Sequence, residues 1–400
     1  MRVVVCTIVH HPQDARILHR QIRALLDAGH EVSYIAPLQA GRVPPMAGLT
    51  VAEVPRAVGR RRVGALRAAR RELARLGPGA DLLLVHDPEL LLVLPLAGRR
   101  PPTVWDVHED TAAALSTKAW LPGALRPAVA AAVRAAERIA ERRIHLILAE
   151  HGYAGRFRRP HPVVPNTTYV PDGLAPPGRG DRVVYIGHLS SDRGTAEMIE
   201  VGRLLRPRGI AVELIGPADA QARAELTRAQ QAGLVHWHGF MPNDKAVLMS
   251  DGALAGLSLL HDEPNFRHSL PTKVAEYMAH GVPVITSPLP VAARLVEQYD
   301  CGTVVPFGDA RVAADAVLRL AAEPALRAGQ GARGHRGAAE SLGWPVAARA
   351  FVAQLEQWAG QPASSAEAPA VALDLVAPPS TVPPPAPFAE ITVPVPGRQP

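Results

Sequence analysis

The sequence predicts an open α/β fold: two doubly wound, Rossmann-like parallel-sheet units facing each other across a cleft. Three observations carry this. Short apolar runs alternate with helical patterns along residues 1–360, as in parallel strands joined by crossover helices. The alternation stops at a stretch with three prolines and three glycines, 166–181, and restarts with a new apolar strand at 182. Polar residues, histidine above all, collect just after strand ends, where open parallel sheets bind ligands.

The elements follow in order. Residues 2–9 are almost continuously apolar, as in a strand buried on both faces. Residues 14–28 place Ile17, Leu18, Ile22, Leu25 and Leu26 at helical spacing and stop at Gly29. Strands are expected at 31–36, 50–54, 81–85, 103–106 and 145–149, with helices at 63–76, 88–94 and 127–143. After the linker come strand 182–186, helix 195–205, strand 210–215, helix 218–232, strand 235–238, helix 244–249 and strand 253–259. Helix 271–279 and strands 282–286 and 302–305 complete the second sheet, with helices at 310–322 and 324–328, the last stopped by Gly329. Residues 344–358 carry Val346, Ala347, Ala350, Phe351, Leu355 and Trp358 on one helix face, which requires a partner surface on the first unit. The units are therefore 1–165, a linker 166–181, 182–340, and a returning helix within 341–360. Residues 361–400 hold eleven prolines among forty residues and read as a disordered tail.

Composition sets further bounds. Hydrophobic residues make up 48% and charged residues 20%, ordinary for a globular protein. The two cysteines, Cys6 and Cys301, lie in or beside expected buried strands, so packing thiols in a reducing cytoplasm are expected rather than a disulfide framework. The apolar run 3–9 is short and followed by His10-His11-Pro12, unlike a signal peptide. The longest stretch without Asp, Glu, Lys or Arg, 277–293, is broken by His280, Gly281 and three prolines, so no membrane span is expected. Net charge is +6, and residues 56–75 concentrate eight arginines: Arg56, Arg60, Arg61, Arg62, Arg67, Arg70, Arg71 and Arg75. No groove-reading motif or aromatic interleaving accompanies them, so nucleic acid is not expected as a partner. They suit either an anionic membrane surface or plain solvation.

The chemistry centres on residues 263–287, EPNFRHSLPTKVAEYMAHGVPVITS. Pro271 suits a helix start, and His280-Gly281 closes the helix. Free amides around residues 269–273 would form an anion site. Lys273 and Glu276 share one helix face, so a cation and a carboxylate project together. The chain has only three lysines among 43 basic residues, and one of them stands here. A diphosphate joined to a hydroxylated ring would use both groups. The alternative for Lys273 is a solvated surface charge. Strand ends of the first unit supply His11, Asp14, Arg16, His86, Asp87, His108, Glu109 and Glu150 as a facing polar wall. No Asp-x-Asp stands at a strand end, so neither a metal nor a cofactor is expected.

That stretch, together with VVYIGHLSSDRG, HDPEL and WDVHED, resembles the family four retaining glycosyltransferases, over about residues 1–360. The resemblance implies the GT-B fold, with a nucleotide-sugar donor mainly on the second unit and a glycan, lipid-linked or small-molecule acceptor mainly on the first. It implies that Glu276 holds the donor ribose and that Gly187, His188 and Arg193 lie at the diphosphate, with Ser269 and Leu270 at the helix start. His108 matches the histidine near the reaction centre. The family's earlier glutamate falls at His268, with Glu263 five residues upstream. Lys273 is read as supplying the positive charge that His188 replaces. A nucleotide-sugar 2-epimerase of the same fold and a non-catalytic sugar-binding or scaffold subunit are the other readings. A dinucleotide oxidoreductase lacks the G-x-G-x-x-G after either first strand.

Overall fold

The computed structural model describes residues 1–108, 122–175 and 180–361. The first lobe is built on β1 (Arg2–Cys6), β2 (Glu31–Ala36), β3 (Leu49–Glu53), β4 (Leu82–Val85), β5 (Thr103–Val107) and β6 (His145–Leu148). The second uses β7 (Arg182–Ile186), β8 (Ala211–Ile215), β9 (His236–Gly239), β10 (Gly256–Ser258), β11 (Val284–Thr286) and β12 (Gly302–Val304). The strand orders are β3-β2-β1-β4-β5-β6 and β12-β11-β10-β7-β8-β9, the same doubly wound order twice. Every pair is parallel.

The apolar runs become central strands because both faces need burial. Val4 and Cys6 enter one core while Val3 and Val5 enter the opposite one. Val183 and Tyr185 repeat this against Val184 and Ile186 in the second lobe. Both cysteines are free and buried, and burial pushes the Cys301 thiol up to about 12. Among the described residues no helix is long and apolar enough to cross a membrane.

The helix Trp344–Trp358 lays Trp344, Ala347, Phe351 and Leu355 into the first-lobe core beside Ile17 and Leu18. Trp358 stacks on His145 at 4.5 Å. Where the chain crosses between lobes, Thr168 N–H donates to Leu342 O (2.9 Å) and Trp344 N–H donates to Thr168 O (2.7 Å), tying the two crossings together.

Several elements differ from the sequence expectation. The expected helix 14–28 opens as a π-helical stretch, Ile17–Ile22, before the α-helix Arg23–Asp27. Its five-residue spacing (Gln21 N–H to Arg16 O, 2.9 Å) brings Arg16 and Gln21 onto the same carboxylate, Asp106. The expected helix 88–94 is two short 3₁₀ turns, Pro88–Leu92 and Leu94–Leu96, because Pro95 offers no amide to a continuing helix. The helix expected to end at Gly329 runs from Pro324 to Ser341. Its glycines are contact points. A Cβ on Gly331 would lie 2.2 Å from Gly281 O, and one on Gly337 would lie 2.4 Å from the Tyr299 ring. The expected tail, apart from Gln361, lies outside the described residues, as does Glu109.

Candidate active site

The strand ends of the two lobes meet. The His11 and Phe240 rings meet in a tilted pair, centroids 4.2 Å apart. Gly152 packs so closely on His268 that an added Cβ would lie 2.9 Å from that residue's backbone oxygen. Arg20 Nη2 donates to Glu276 Oε1 at 3.3 Å, with both side chains 3% exposed.

On the second lobe, Lys273 and Glu276 project from the helix Thr272–Ala279, and both are buried. Lys273 Nζ lies 4.9 Å from the Tyr185 ring centroid. Its Cε and Nζ pass 3.4 and 3.5 Å from where a Gly187 Cβ would be, and Gly187 has φ 141°, so only glycine sits there without strain. Arg193 hydrogen-bonds Tyr185 and lies 5.4 Å from the Phe266 ring centroid. Tyr185 Oη donates to His188 O at 2.6 Å. Gly187, His188, Arg193 and Lys273 thus surround one tyrosine, while the His188 ring itself is exposed. Burial pushes the Lys273 ammonium down to about 7; nearby Arg193 adds to this and Glu276 opposes it.

Glu276 is anchored on one side. Its Oε1 accepts from Arg20 Nη2 and from Asn243 Nδ2 (2.9 Å). The helix start is less open than expected. Pro271 has no amide, and the Leu270 N–H serves the Glu150 carboxyl of the first lobe. Thr272 and Lys273 remain as first-turn donors. Ser269 Oγ donates to Asn265 O at 3.4 Å, and Glu263 lies half-buried in the loop, near Arg267. Glu150 is nearly buried, accepts from Asn166 Nδ2 at 3.3 Å, and is pushed up to about 8 by burial.

The first-lobe wall is a hydrogen-bonded network. Asp106, fully buried, accepts two 2.7 Å bonds from Arg16 and one of 3.0 Å from Gln21. Arg16 holds that carboxyl well below its ordinary range, against the effect of burial. His108 Nδ1 lies 3.1 Å from the Asp106 carbonyl oxygen, which can only accept, so Nδ1 carries the proton. Its Nε2 therefore accepts from His10 Nε2 at 2.8 Å. Burial, reinforced by His10, pushes His108 down to about 3. His10 also lies 3.3 Å from Asp87 and 3.8 Å from Asp14.

Several residues expected on the acceptor-facing surface are committed elsewhere. Arg16 is a strut to Asp106, Val164 O and Asn166. Asp87 accepts from Thr7 Oγ1 and from the amides of Ile8 and Val9. Asp14 accepts from the Arg16 and Ile17 amides. His86 is 1% exposed, with Nδ1 3.2 Å from Asp106. His11, half-exposed, and His108 remain nearest the gap. His86, Asp106 and His108 lie close enough together to hold a cation, but the Arg16 guanidinium already occupies the carboxylate they would share.

Arg20, Asn243 and Tyr185 were missing from the expected site residues, whereas Glu150 follows a strand end as expected. Arg20 stands at helical spacing from Arg16, Arg23 and Asp27 and so is not distinguished from them in the sequence; Asn243 and Tyr185 are not distinguished from loop or core residues.

Known proteins resemble this chain in fold and, over residues 180–323, in sequence. Residues 180–323 match the family model described as glycosyl transferases group 1. WcaL of Escherichia coli (strain K12), assigned to colanic acid biosynthesis as a glycosyltransferase, is 28% identical over 161 residues, 39% of this chain and 39% of that protein. The matched stretch is therefore well under half of WcaL. The sucrose-phosphate synthase of Thermosynechococcus elongatus superposes with a TM-score of 0.68 at 17% identity, covering 89% of this chain and 98% of the other. Anabaena HepE in complex with UDP-glucose gives 0.64 at 15%, covering 89% and 100%. These two likenesses are of fold, and the fold is the two-lobed one expected from the sequence.

Proposed function

We propose that this chain, a GT-B fold protein whose residues 180–323 match the group 1 glycosyltransferases, moves a sugar from a nucleotide-diphosphate sugar to a glycan, lipid-linked or small-molecule acceptor. The observation that carries this reading is the pairing of Lys273 and Arg193. Two cations flank Tyr185 on the second lobe, their nearest contacts being aromatic rings and a hydroxyl, with the Glu276 carboxylate three residues from Lys273. A lysine pushed down to about 7 is a charge waiting for an anion.

The mechanism follows from charge. As the glycosidic bond of the donor breaks, negative charge grows on the departing diphosphate. Lys273, Arg193 and the Thr272 and Lys273 amides stabilise it, placed before the reaction begins. Glu276, with Oε1 anchored, turns its other oxygen to the ribose hydroxyls. Positive charge supplied by side chains takes the part a divalent metal plays elsewhere, so the transfer proceeds without one. The family resemblance implies retention of anomeric configuration, with the departing phosphate oxygen helping to remove the acceptor proton. The His108 ring, held neutral, adds no competing positive charge, and a sugar reaches its Nε2 only by displacing His10. Lobe closure excludes water and favours transfer over hydrolysis.

WcaL's assignment to colanic acid biosynthesis favours a growing glycan or its lipid-linked precursor as acceptor. The arginines of residues 56–75 are exposed, and Val58, Val63, Leu92 and Leu96 stand exposed around them. This basic and apolar face suits a cytoplasmic protein that docks on an anionic membrane.

The test is nucleoside diphosphate release from a panel of nucleotide sugars, with and without glycan acceptors, and NMR of the product's anomeric configuration. Acceptor-dependent release with retention is expected. Donor loss without acceptor points to an epimerase, and donor binding with no turnover on any acceptor to a scaffold subunit; either contradicts the proposal.

A further inference from the structure

At the starts of β5 and β6, the first lobe carries a concavity of about 350 Å³. Its arginines come from three separate segments. Arg100 precedes β5, Arg142 and Arg143 end the helix Arg126–Arg143, and Arg159 lies in the loop after β6. Thr103 and His145, the first residues of the two strands, also line it. His108 follows the opposite end of β5, and five residues at about 3.3 Å each set the concavity about 15 Å from the proposed chemistry. We propose that this concavity is a second anion site, built to take a phosphate group and independent of donor binding.

The first observation is charge without counter-charge. Among the described residues no carboxylate lines the concavity, and none of its four guanidinium groups has an ion-pair partner. Exposed arginines elsewhere on the chain do take carboxylates: Arg23 pairs with Asp27, Arg203 with Glu200 and Arg319 with Glu323. The end of the helix Arg126–Arg143 brings about half a negative charge, which four guanidinium groups outweigh several-fold. Like charges brought together from three segments repel, and a bound anion relieves that repulsion.

The second observation is that the backbone presenting these arginines is held in place. Glu141, buried, accepts from the Arg158 and Arg159 amides at 2.8 Å each and lies 3.2 Å from His161 Nε2. A buried carboxylate thus fixes the loop that carries Arg159. Pro101 and Pro102 restrict the chain at Arg100 to an extended course. The His145 ring is fixed by its stack on Trp358, with 14° between the ring planes.

The third is chemical fit. Guanidinium forks meet phosphate oxygens in pairs, and one dianionic phosphate satisfies several of them. The volume lies at the small end of ligand pockets, enough for a phosphate with a small group attached. A free phosphorylated metabolite and a lipid headgroup present that same group. His145 reports occupancy. Partial burial, with Arg159 adding to it, holds its pKa below the ordinary value, so an anion that offsets Arg159 raises it.

The experiment follows the His145 ring by NMR across pH 5–8 in the full chain, with inorganic pyrophosphate, against sodium chloride at matched ionic strength. Wild type is compared with Lys273→Met and with a triple variant, Arg142→Gln, Arg143→Gln and Arg159→Gln. All three arginines are exposed, and melting temperature checks folding. Pyrophosphate is expected to raise the wild-type His145 pKa saturably, by about half a unit beyond the chloride control. The triple variant should bind at least tenfold more weakly by this readout, and Lys273→Met should respond as wild type does. Sedimentation with phosphatidic acid vesicles, against phosphatidylglycerol vesicles of equal anionic content, distinguishes the two sources. A preference for phosphatidic acid that the triple variant loses identifies a lipid headgroup. A response to pyrophosphate without that preference identifies a free ligand, and either result supports the site. A His145 pKa that moves no further than in chloride overturns the inference. So does a response that survives in the folded triple variant, or one that disappears in Lys273→Met and therefore belongs to the donor site.

Discussion

His10 and His108 face each other Nε2 to Nε2 at 2.8 Å, so only one of the two nitrogens carries the shared proton. The Asp106 carbonyl fixes the His108 proton on Nδ1, and Asp87 and Asp14 flank His10. The histidine nearest the proposed chemistry is thereby kept neutral, pushed down to about 3 first by burial and then by His10. Replacing His10 by Gln removes that repulsion, so the His108 pKa should rise. Ring ¹⁵N shifts across pH 3–7 measure it, and an unmoved titration would show that burial alone sets the value.

Lys273 should make donor binding depend on pH. Below about 7 the free protein already carries the ammonium, so binding takes up no proton. Above about 7 the charge must be regained on binding, and affinity for a nucleotide-diphosphate sugar should fall about tenfold per pH unit. The Lys273→Met variant should show no such slope. Calorimetry in buffers of different ionisation enthalpy reads the proton uptake directly, and a wild-type affinity that is level from pH 6.5 to 8.5 would refute the assignment.

Glu150 should affect stability in the opposite sense to a salt-bridged carboxylate. Its native pKa, about 8, lies above the ordinary 4.5, so between those values the folded protein holds a proton the unfolded chain has released. Stability from this group is therefore present below pH 4.5 and lost as pH rises through 8. The facing groups are Asn166, the Leu270 amide and Arg16, all of which pull the pKa down against burial. Glu150→Gln stays neutral throughout, so its melting temperature should exceed wild type by about 2–4 °C at pH 9 and approach it at pH 5. Parallel melting curves across that range would dismiss the buried proton.

How far the sequence reached can be judged from particular residues. Strands such as Arg2–Cys6 and Arg182–Ile186 were readable because a parallel strand buried on both faces must be apolar throughout. Lys273 and Glu276 were readable because helical spacing places them on one face. The helix end at Gly329 was misread because glycine normally stops a helix, whereas here close contact with Gly281 and Tyr299 favours glycines within it. The Arg20–Glu276 contact joins residues 256 positions apart, and no local pattern encodes such a pairing. The same holds for the Leu270 amide, which local reasoning leaves free and tertiary packing gives to Glu150.

The arginine face of residues 56–75 should bind anionic vesicles. Some of its arginines are already engaged, Arg62 with Glu89 and Arg75 with Glu72, but the surface remains exposed and basic. Sedimentation with phosphatidylglycerol vesicles should exceed that with phosphatidylcholine vesicles and fall as salt rises. Changing Arg60, Arg61 and Arg67 to Gln together should abolish the difference. Equal sedimentation with both lipids would leave these arginines as a solvated face.

The most direct test of the central claim, that Lys273 and Arg193 grip an activated sugar's diphosphate, is the dissociation constant of a nucleotide sugar for wild type and Lys273→Met at pH 6.5. A charged hydrogen bond contributes about 1.5–3 kcal/mol, so at least one member of a nucleotide-sugar panel should bind wild type and bind the variant roughly ten- to a hundredfold more weakly. A panel in which no nucleotide sugar binds wild type, or in which the variant binds as tightly, would contradict it.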